Sequence, residues 1–184
     1  MKTHALTAVT AVLALAACNR SEPSPSENEI TASDDLTNAG AGTSAETANI
    51  DSAFVTDAIK GDNGEVAIGQ LAQEQGESQA VKDFGKLLVS DHGAHKQELT
   101  TLAQASGISI TSEPTDEAKA NLEKLKALHG AAFDKEFKAM MVKDHTKDIA
   151  KYEKQANSGD VQTAALAQKT LPTLRKHLDT ANAL

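Results

Sequence analysis

Two stretches of this chain set acids and imidazoles at the same level of an otherwise apolar helical pattern. Phe84-Gly-Lys-Leu-Leu-Val-Ser-Asp-His-Gly-Ala-His95 brings Asp91, His92 and His95 within about one turn of a helix. A near-copy follows 53 residues later as Phe137-Lys-Ala-Met-Met-Val-Lys-Asp-His-Thr-Lys-Asp148. Both copies read Phe-x-x-(Leu/Met)-(Leu/Met)-Val-x-Asp-His, with a third polar side chain three positions on, His95 in one and Asp148 in the other. Imidazole and carboxylate without thiolate suit zinc, iron, manganese or copper. Di-iron bundles use Glu-x-x-His pairs, whereas this chain offers Asp-x-x-x-His (Asp91, His95) and Asp-x-x-x-Asp (Asp144, Asp148). A single ion is therefore easier to build than a di-iron centre. The competing reading is a hydrogen-bonded layer of Asp and His that only fixes packing.

Other chemistry is absent from the pattern. There is no Gly-rich phosphate loop after a strand, no nucleophile elbow and no His-Glu-x-x-His. The formal charge is −8, with no block of Lys and Arg, and four Phe and one Tyr give few stacking platforms. Nothing here resembles a nucleic-acid footprint.

The elements that must carry these residues read as helices. From about Asp51 to Gln75 the apolar residues Phe54, Ala58, Ile68 and Ala72 share one face, and Glu65 falls in its middle. A carboxylate there costs several kcal/mol unless paired. A helix break at Asp62-Asn63-Gly64 would shift this phase. The second helix runs from a cap at Ser78 to about Ser106, with Val81, Phe84, Leu87, Leu88, Leu99 and Leu102 inward, and Gly107 stops it. On an ideal helix Asp91 and His95 lie near the centre of that stripe and His92 about 60° to one side.

Ser112 or Thr115 caps a short helix with Leu122, Leu125 and Leu128, and His129 reads as a surface or capping histidine. A third long helix, about Ala131 to Asn157, puts Phe133, Phe137, Met140, Met141, Ile149 and Tyr152 inward. Asp144, His145 and Asp148 fall in the same sector, with the lysines mostly outside; surface pairs of Asp144 with Lys147 and Asp148 with Lys151 are the alternative. Asp160 caps the last helix, whose stripe holds Ala164, Ala167, Leu171, Leu174, Leu178 and Ala181. His177 lies about 90° from the centre of that stripe unless Pro172 kinks the helix. Four long helices favour an all-α up-down bundle with one extra short helix between the second and third.

The N-terminus reads as an address. Lys2, an apolar run from Ala5 to Leu15, and Leu15-Ala-Ala-Cys18 form a signal too short to span a bilayer. Leu-Ala-Ala-Cys resembles the bacterial lipobox, in which cleavage precedes the Cys and its thiol is acylated. Residues 1–17 are then a lipoprotein signal peptide, and Cys18, the only cysteine, holds a membrane anchor. A covalent Cys mechanism is excluded in that case. Asn19 rather than Asp after the Cys favours outer-membrane sorting by the same resemblance. Residues 18–49 form a disordered acidic linker, since too few apolar side chains are present to offset the cost of ordering. Residues 50–184 form the bundle.

Phe54-Val-x-x-Ala58, Glu65, Ala-x-x-Phe-Gly-x-x-Leu-x-x-Asp-His in the second helix, Gly130-Ala-Ala-Phe-Asp134, Asp144-His145 and Thr170-Leu-Pro-x-Leu-x-x-His-Leu178 occur in this order. Together they resemble domain-of-unknown-function family 4142, ferritin-like bundles of bacterial envelopes. The resemblance implies a ferritin-like fold and draws His177 into the cluster through its complete Leu-Pro-x-Leu-x-x-His motif. It implies no established activity. The candidate metal ligands are thus Glu65, Asp91, His92, His95, Asp144, His145, Asp148 and His177, with an envelope lipoprotein as the setting and no enzyme chemistry indicated.

Overall fold

Asp51, Ser78, Thr115 and Asp160 each accept a hydrogen bond from the backbone N–H three residues on. These caps open four of the five helices in the computed structural model, which describes residues 50–184. The helices are α1 (Ser52–Gln75), α2 (Gln79–Ala105), α3 (Asp116–Lys126), α4 (Gly130–Ala156) and α5 (Val161–Ala183). No strand occurs among the described residues, and the short extra helix lies where the sequence places it. His129 precedes α4, exposed and without a side-chain capping bond. The signal peptide, Cys18 and the linker lie outside the described residues. No helix of the described residues is long and apolar enough to cross a membrane.

Direction alternates within two hairpins, α1–α2 and α4–α5. Between them the chain crosses over, and α3 lies in that crossover. Asp134, in the first turn of α4, accepts from the N–H groups of Glu77 and Ser78 at 2.9 and 2.8 Å, which fixes the start of α4 to the α1–α2 corner. Phe84 then meets Phe137, and His92 meets His145, each pair of rings 5.8 Å apart. α2 and α4 therefore run parallel, and the two copies of the repeat face each other at matching levels.

The helix break considered at Asp62-Asn63-Gly64 does not occur; α1 is continuous. All three weak helix formers are held by tertiary contacts instead. Asn63 donates to the crossover carbonyls of Thr111 and Glu113 at 3.1 and 3.3 Å. Gly64 lets α3 approach so closely that a Cβ there would sit 2.5 Å from the Ala118 Cβ. Asp62 turns inward and is 3 % exposed.

The apolar core comes in two pieces. One holds Ile68, Leu88, Leu125, Phe133, Phe137 and Met141 among its members. The other holds Phe54, Ile59, Leu99, Tyr152, Leu171 and Leu174. On every long helix the residues between the two pieces are the acids and imidazoles: Asp62 and Glu65, Asp91 to His95, Asp144 to Asp148, and His177. The polar layer is a stratum of the bundle rather than an insertion at one edge.

The two glycines of α2 differ. A Cβ on Gly85 would lie 2.6 Å from the Gly69 carbonyl and 2.9 Å from the Ala72 Cβ, so α1 and α2 cross in contact there. A Cβ on Gly93 would meet nothing within 4 Å. Gly93→Ala should therefore stabilise the protein by roughly 0.5–1 kcal/mol through helix propensity. Gly85→Ala should destabilise it by about 1–3 kcal/mol through overpacking. Urea unfolding of both variants checks the pair; equal effects of the same sign would contradict the close crossing.

Candidate metal centre

The site is built from one turn of each long helix. On α1, Asp62 stands one turn from Ala58 and from Glu65, on the same face. Its two oxygens are taken up separately, Oδ1 by His92 Nδ1 and Oδ2 by His95 Nδ1, each at 2.9 Å. Burial pushes the Asp62 carboxyl up, but the bonds from His92 and His95 outweigh it and hold it below the usual carboxylate range. Asp62 is the site residue that the sequence reading missed. It falls on the stripe at Ala58 plus four and Glu65 minus three, and the suspected helix break obscured that spacing.

The expected order of centrality in α2 is reversed. His92 is 5 % exposed and fully inside, while His95 and Asp91 lie toward the edge. Asp91 and His95 also diverge: Asp91 Oδ2 accepts from His177 Nε2 at 3.0 Å, whereas His95 turns to Asp62. Burial opposes a charge on His92, but its bond to Asp62 and the nearby negative charges of Glu65 and Asp62 lift it to about 9.

His177 is completely buried. α5 continues as one helix through the exposed Pro172, and its buried residues run Ala167, Leu171, Leu174, His177, Ala181. On an ideal helix these positions span about 120°, so His177 sits at one edge of a broad buried face, with Leu178 half-buried. Burial lowers its imidazole, against the opposing bond to Asp91. His145 is also completely buried, and burial, with the charges of His92 and His177, lowers it to about 3.

Three imidazoles converge: one ring nitrogen each of His92, His145 and His177 lies within 4.8 Å of the others. The proton assignment follows from their outer partners. His145 Nδ1 is 3.0 Å from the Met141 carbonyl, which can only accept, so Nδ1 carries the proton and Nε2 is bare. His177 Nε2 donates to the Asp91 carboxylate, which leaves Nδ1 bare. These two bare nitrogens face each other at 3.2 Å. His92 Nε2 is buried and has no partner. Two nitrogens on a tetrahedral zinc at ~2.05 Å would be about 3.3 Å apart. A cavity of about 30 Å³, room for one water-sized body, lies beside His92, His177, Asp62 and Asp91 and does not border His145.

The remaining candidates do not join this cluster. Asp91 supports His177 from behind, and His95 shares Asp62 with its Nε2 left unpartnered. Glu65, Asp144 and Asp148 line an adjoining cleft between α1, α3 and α4, and Asp148 also borders the small cavity beside His92. The surface pairing of Asp144 with Lys147 and of Asp148 with Lys151 is not formed: Lys147 and Lys143 bind Glu117 of α3, and Lys151 binds Asp57 of α1.

Burial raises Glu65 from its ordinary 4.5 to about 8. Below pH 4.5 both folded and unfolded chains hold that proton and nothing is lost. From there to about pH 8 the unfolded chain ionises while the folded one does not, so stability falls, and it levels off above. Glu65→Gln should abolish that fall, leaving the variant a few kcal/mol more stable than wild type at pH 8 and about equal at pH 4.5. Urea unfolding in chelator across this range tests it; a constant difference at all pH values would contradict a buried, protonated Glu65.

Comparison with curated proteins and with solved structures returns no significant match. A family model, Domain of unknown function (DUF4142), matches residues 36–184 and so spans the whole bundle with its polar layer. The chain belongs to the DUF4142 family.

Proposed function

We propose that this protein binds a single transition-metal ion on His92 Nε2, His145 Nε2 and His177 Nδ1, within a ferritin-like bundle tethered to the bacterial envelope. The observation that carries the reading is the 3.2 Å approach of His145 Nε2 to His177 Nδ1 with both protons held elsewhere. Two lone pairs at that distance repel unless a cation stands between them, and burial of both rings opposes using a proton for the purpose. Metal-ligating histidines fix their second nitrogen on a carboxylate or backbone carbonyl, and all three rings do so here through Asp62, Met141 and Asp91. An all-imidazole set suits zinc, copper or iron more than manganese. Three protein ligands leave a coordination position open, as in sites where the ion exchanges or carries a second ligand.

Two antiparallel hairpins joined by one long crossover are the connection that ferritin-like bundles use, and this supports that part of the reading. Leu-Ala-Ala-Cys18 supports lipid attachment, with residues 18–49 as the tether. The alternative of a purely structural layer accounts for the bonds of Asp62, Met141 and Asp91, but it gives no reason for the bare nitrogens of His145 and His177 to face each other beside the unpartnered Nε2 of His92.

Titration of untagged, chelator-treated protein with zinc should show one tight equivalent by calorimetry. His145→Ala or His177→Ala should remove it, and Asp62→Asn should weaken it by about 10–100-fold through loss of His92 orientation. An absence of zinc uptake, or equal affinity in His145→Ala, would sink the metal reading. Separately, Cys18→Ser should release the protein from the membrane fraction of its host; a variant still retained after a high-salt wash would contradict the anchor.

A further inference from the structure

The carboxylates that the histidine cluster leaves out occupy a cleft of about 320 Å³ between α1, α3 and α4. α1 supplies Glu65, and α4 supplies Asp144 and Asp148, which are neighbours one turn apart. α3 forms the roof, where Asn121 donates to Asp144 Oδ2 at 3.2 Å. The acids on the rim are already neutralised: Glu117 binds Lys143 and Lys147 at 3.0 and 2.6 Å, and Asp57 binds Lys151. The three inner acids form no salt bridge with any lysine or arginine among the described residues. Glu65 is 6 % exposed, lines the cleft, and has an oxygen, Oε2, that nothing on the protein contacts as a donor.

We propose that this cleft is a second cation site, separate from the histidine cluster, which takes a hard, oxygen-seeking divalent cation with part of its hydration shell on Glu65, Asp144 and Asp148. The ligand chemistry decides the class. Carboxylate and amide oxygens suit calcium-like ions, which take six to eight oxygen ligands, whereas an all-imidazole set does not. At about 30 Å³ per water in the liquid, the cleft has room for the ion and several waters to complete its shell. Burial raises Asp148 above the usual carboxylate range, with the negative charges of Asp62 and Asp57 acting in the same direction against Lys151 and His92. A divalent cation would relieve that cost without moving the lysines from their present partners.

The two sites are told apart by their probes, calcium for the carboxylates and zinc for the imidazoles. Calcium chloride added to chelator-treated full-length protein should raise its melting temperature saturably, with one equivalent seen by calorimetry. Asp148→Asn and Glu65→Gln should each weaken calcium binding at least about tenfold. Glu65→Gln should also raise the melting temperature without calcium, since it removes a buried, unpaired acid. His145→Ala should leave calcium affinity within about twofold, whereas zinc on the imidazoles should weaken it, because Glu65 and Asp148 act electrostatically on His92. Two results would overturn the proposal: a shift reproduced by sodium chloride at matched ionic strength, or retention of the shift in the Glu65→Gln/Asp148→Asn double variant.

Discussion

Two buried imidazoles can point bare nitrogens at each other only if something outside each ring holds its proton. The Met141 carbonyl and Asp91 do this for His145 and His177, while Asp62 orients His92 beside them. Each outer bond is unremarkable alone. Together they fix the tautomers of His145 and His177 and leave two acceptors face to face, an arrangement that low dielectric makes expensive. The rest of the architecture keeps these partners at one level. The Asp134 clamp sets α4 against the α1–α2 corner, and the parallel run of α2 and α4 then brings His92 to His145. The crossover gripped by Asn63 allows that parallel run.

The same layer divides the apolar core. Phe84 and Phe137 pack on one side, and Phe54 and Tyr152 pack 5.1 Å apart on the other. A bundle that interrupts its core at mid-height forgoes apolar burial exactly where four helices could supply it most readily. The two apolar pieces instead supply rigid floors that hold the polar side chains in one rotamer each. The acids then separate by partner. Asp62 and Asp91 serve imidazoles, while Glu65 and Asp148 line a cleft and pair with no lysine or arginine among the described residues. One stratum thus carries imidazole nitrogens on one side and carboxylate oxygens on the other.

Much of this was legible in the sequence. The repeat around Phe84 and Phe137 marked the facing helices, the caps at Ser78, Thr115 and Asp160 marked helix starts, and Glu65 stood out as an acid on an apolar stripe. What was not legible depends on tertiary contact. Asp62-Asn63-Gly64 has the composition of a break, and only the contacts of each residue with His92, the crossover and Ala118 make it helix. His177 lies at the edge of the α5 apolar stripe and is buried because the buried face of α5 is broader than that stripe. His92 rather than Asp91 or His95 is central because α4 lies beside α2 at that angle, which periodicity along one helix cannot report. Direction was equally hidden, since the repeat fits parallel or antiparallel helices until Asp134 is seen holding Glu77 and Ser78.

The central claim is the absence of a proton between His145 and His177, and long-range proton–nitrogen NMR of the imidazole rings observes it directly. In chelator-treated protein at neutral pH, His145 should be protonated at Nδ1 only and His177 at Nε2 only. Zinc should then shift the resonances of His145 Nε2 and His177 Nδ1 while the outer protons stay in place. A proton found on His145 Nε2, bonded to His177 Nδ1 and unmoved by zinc, would show an ordinary hydrogen-bonded layer and contradict the metal centre.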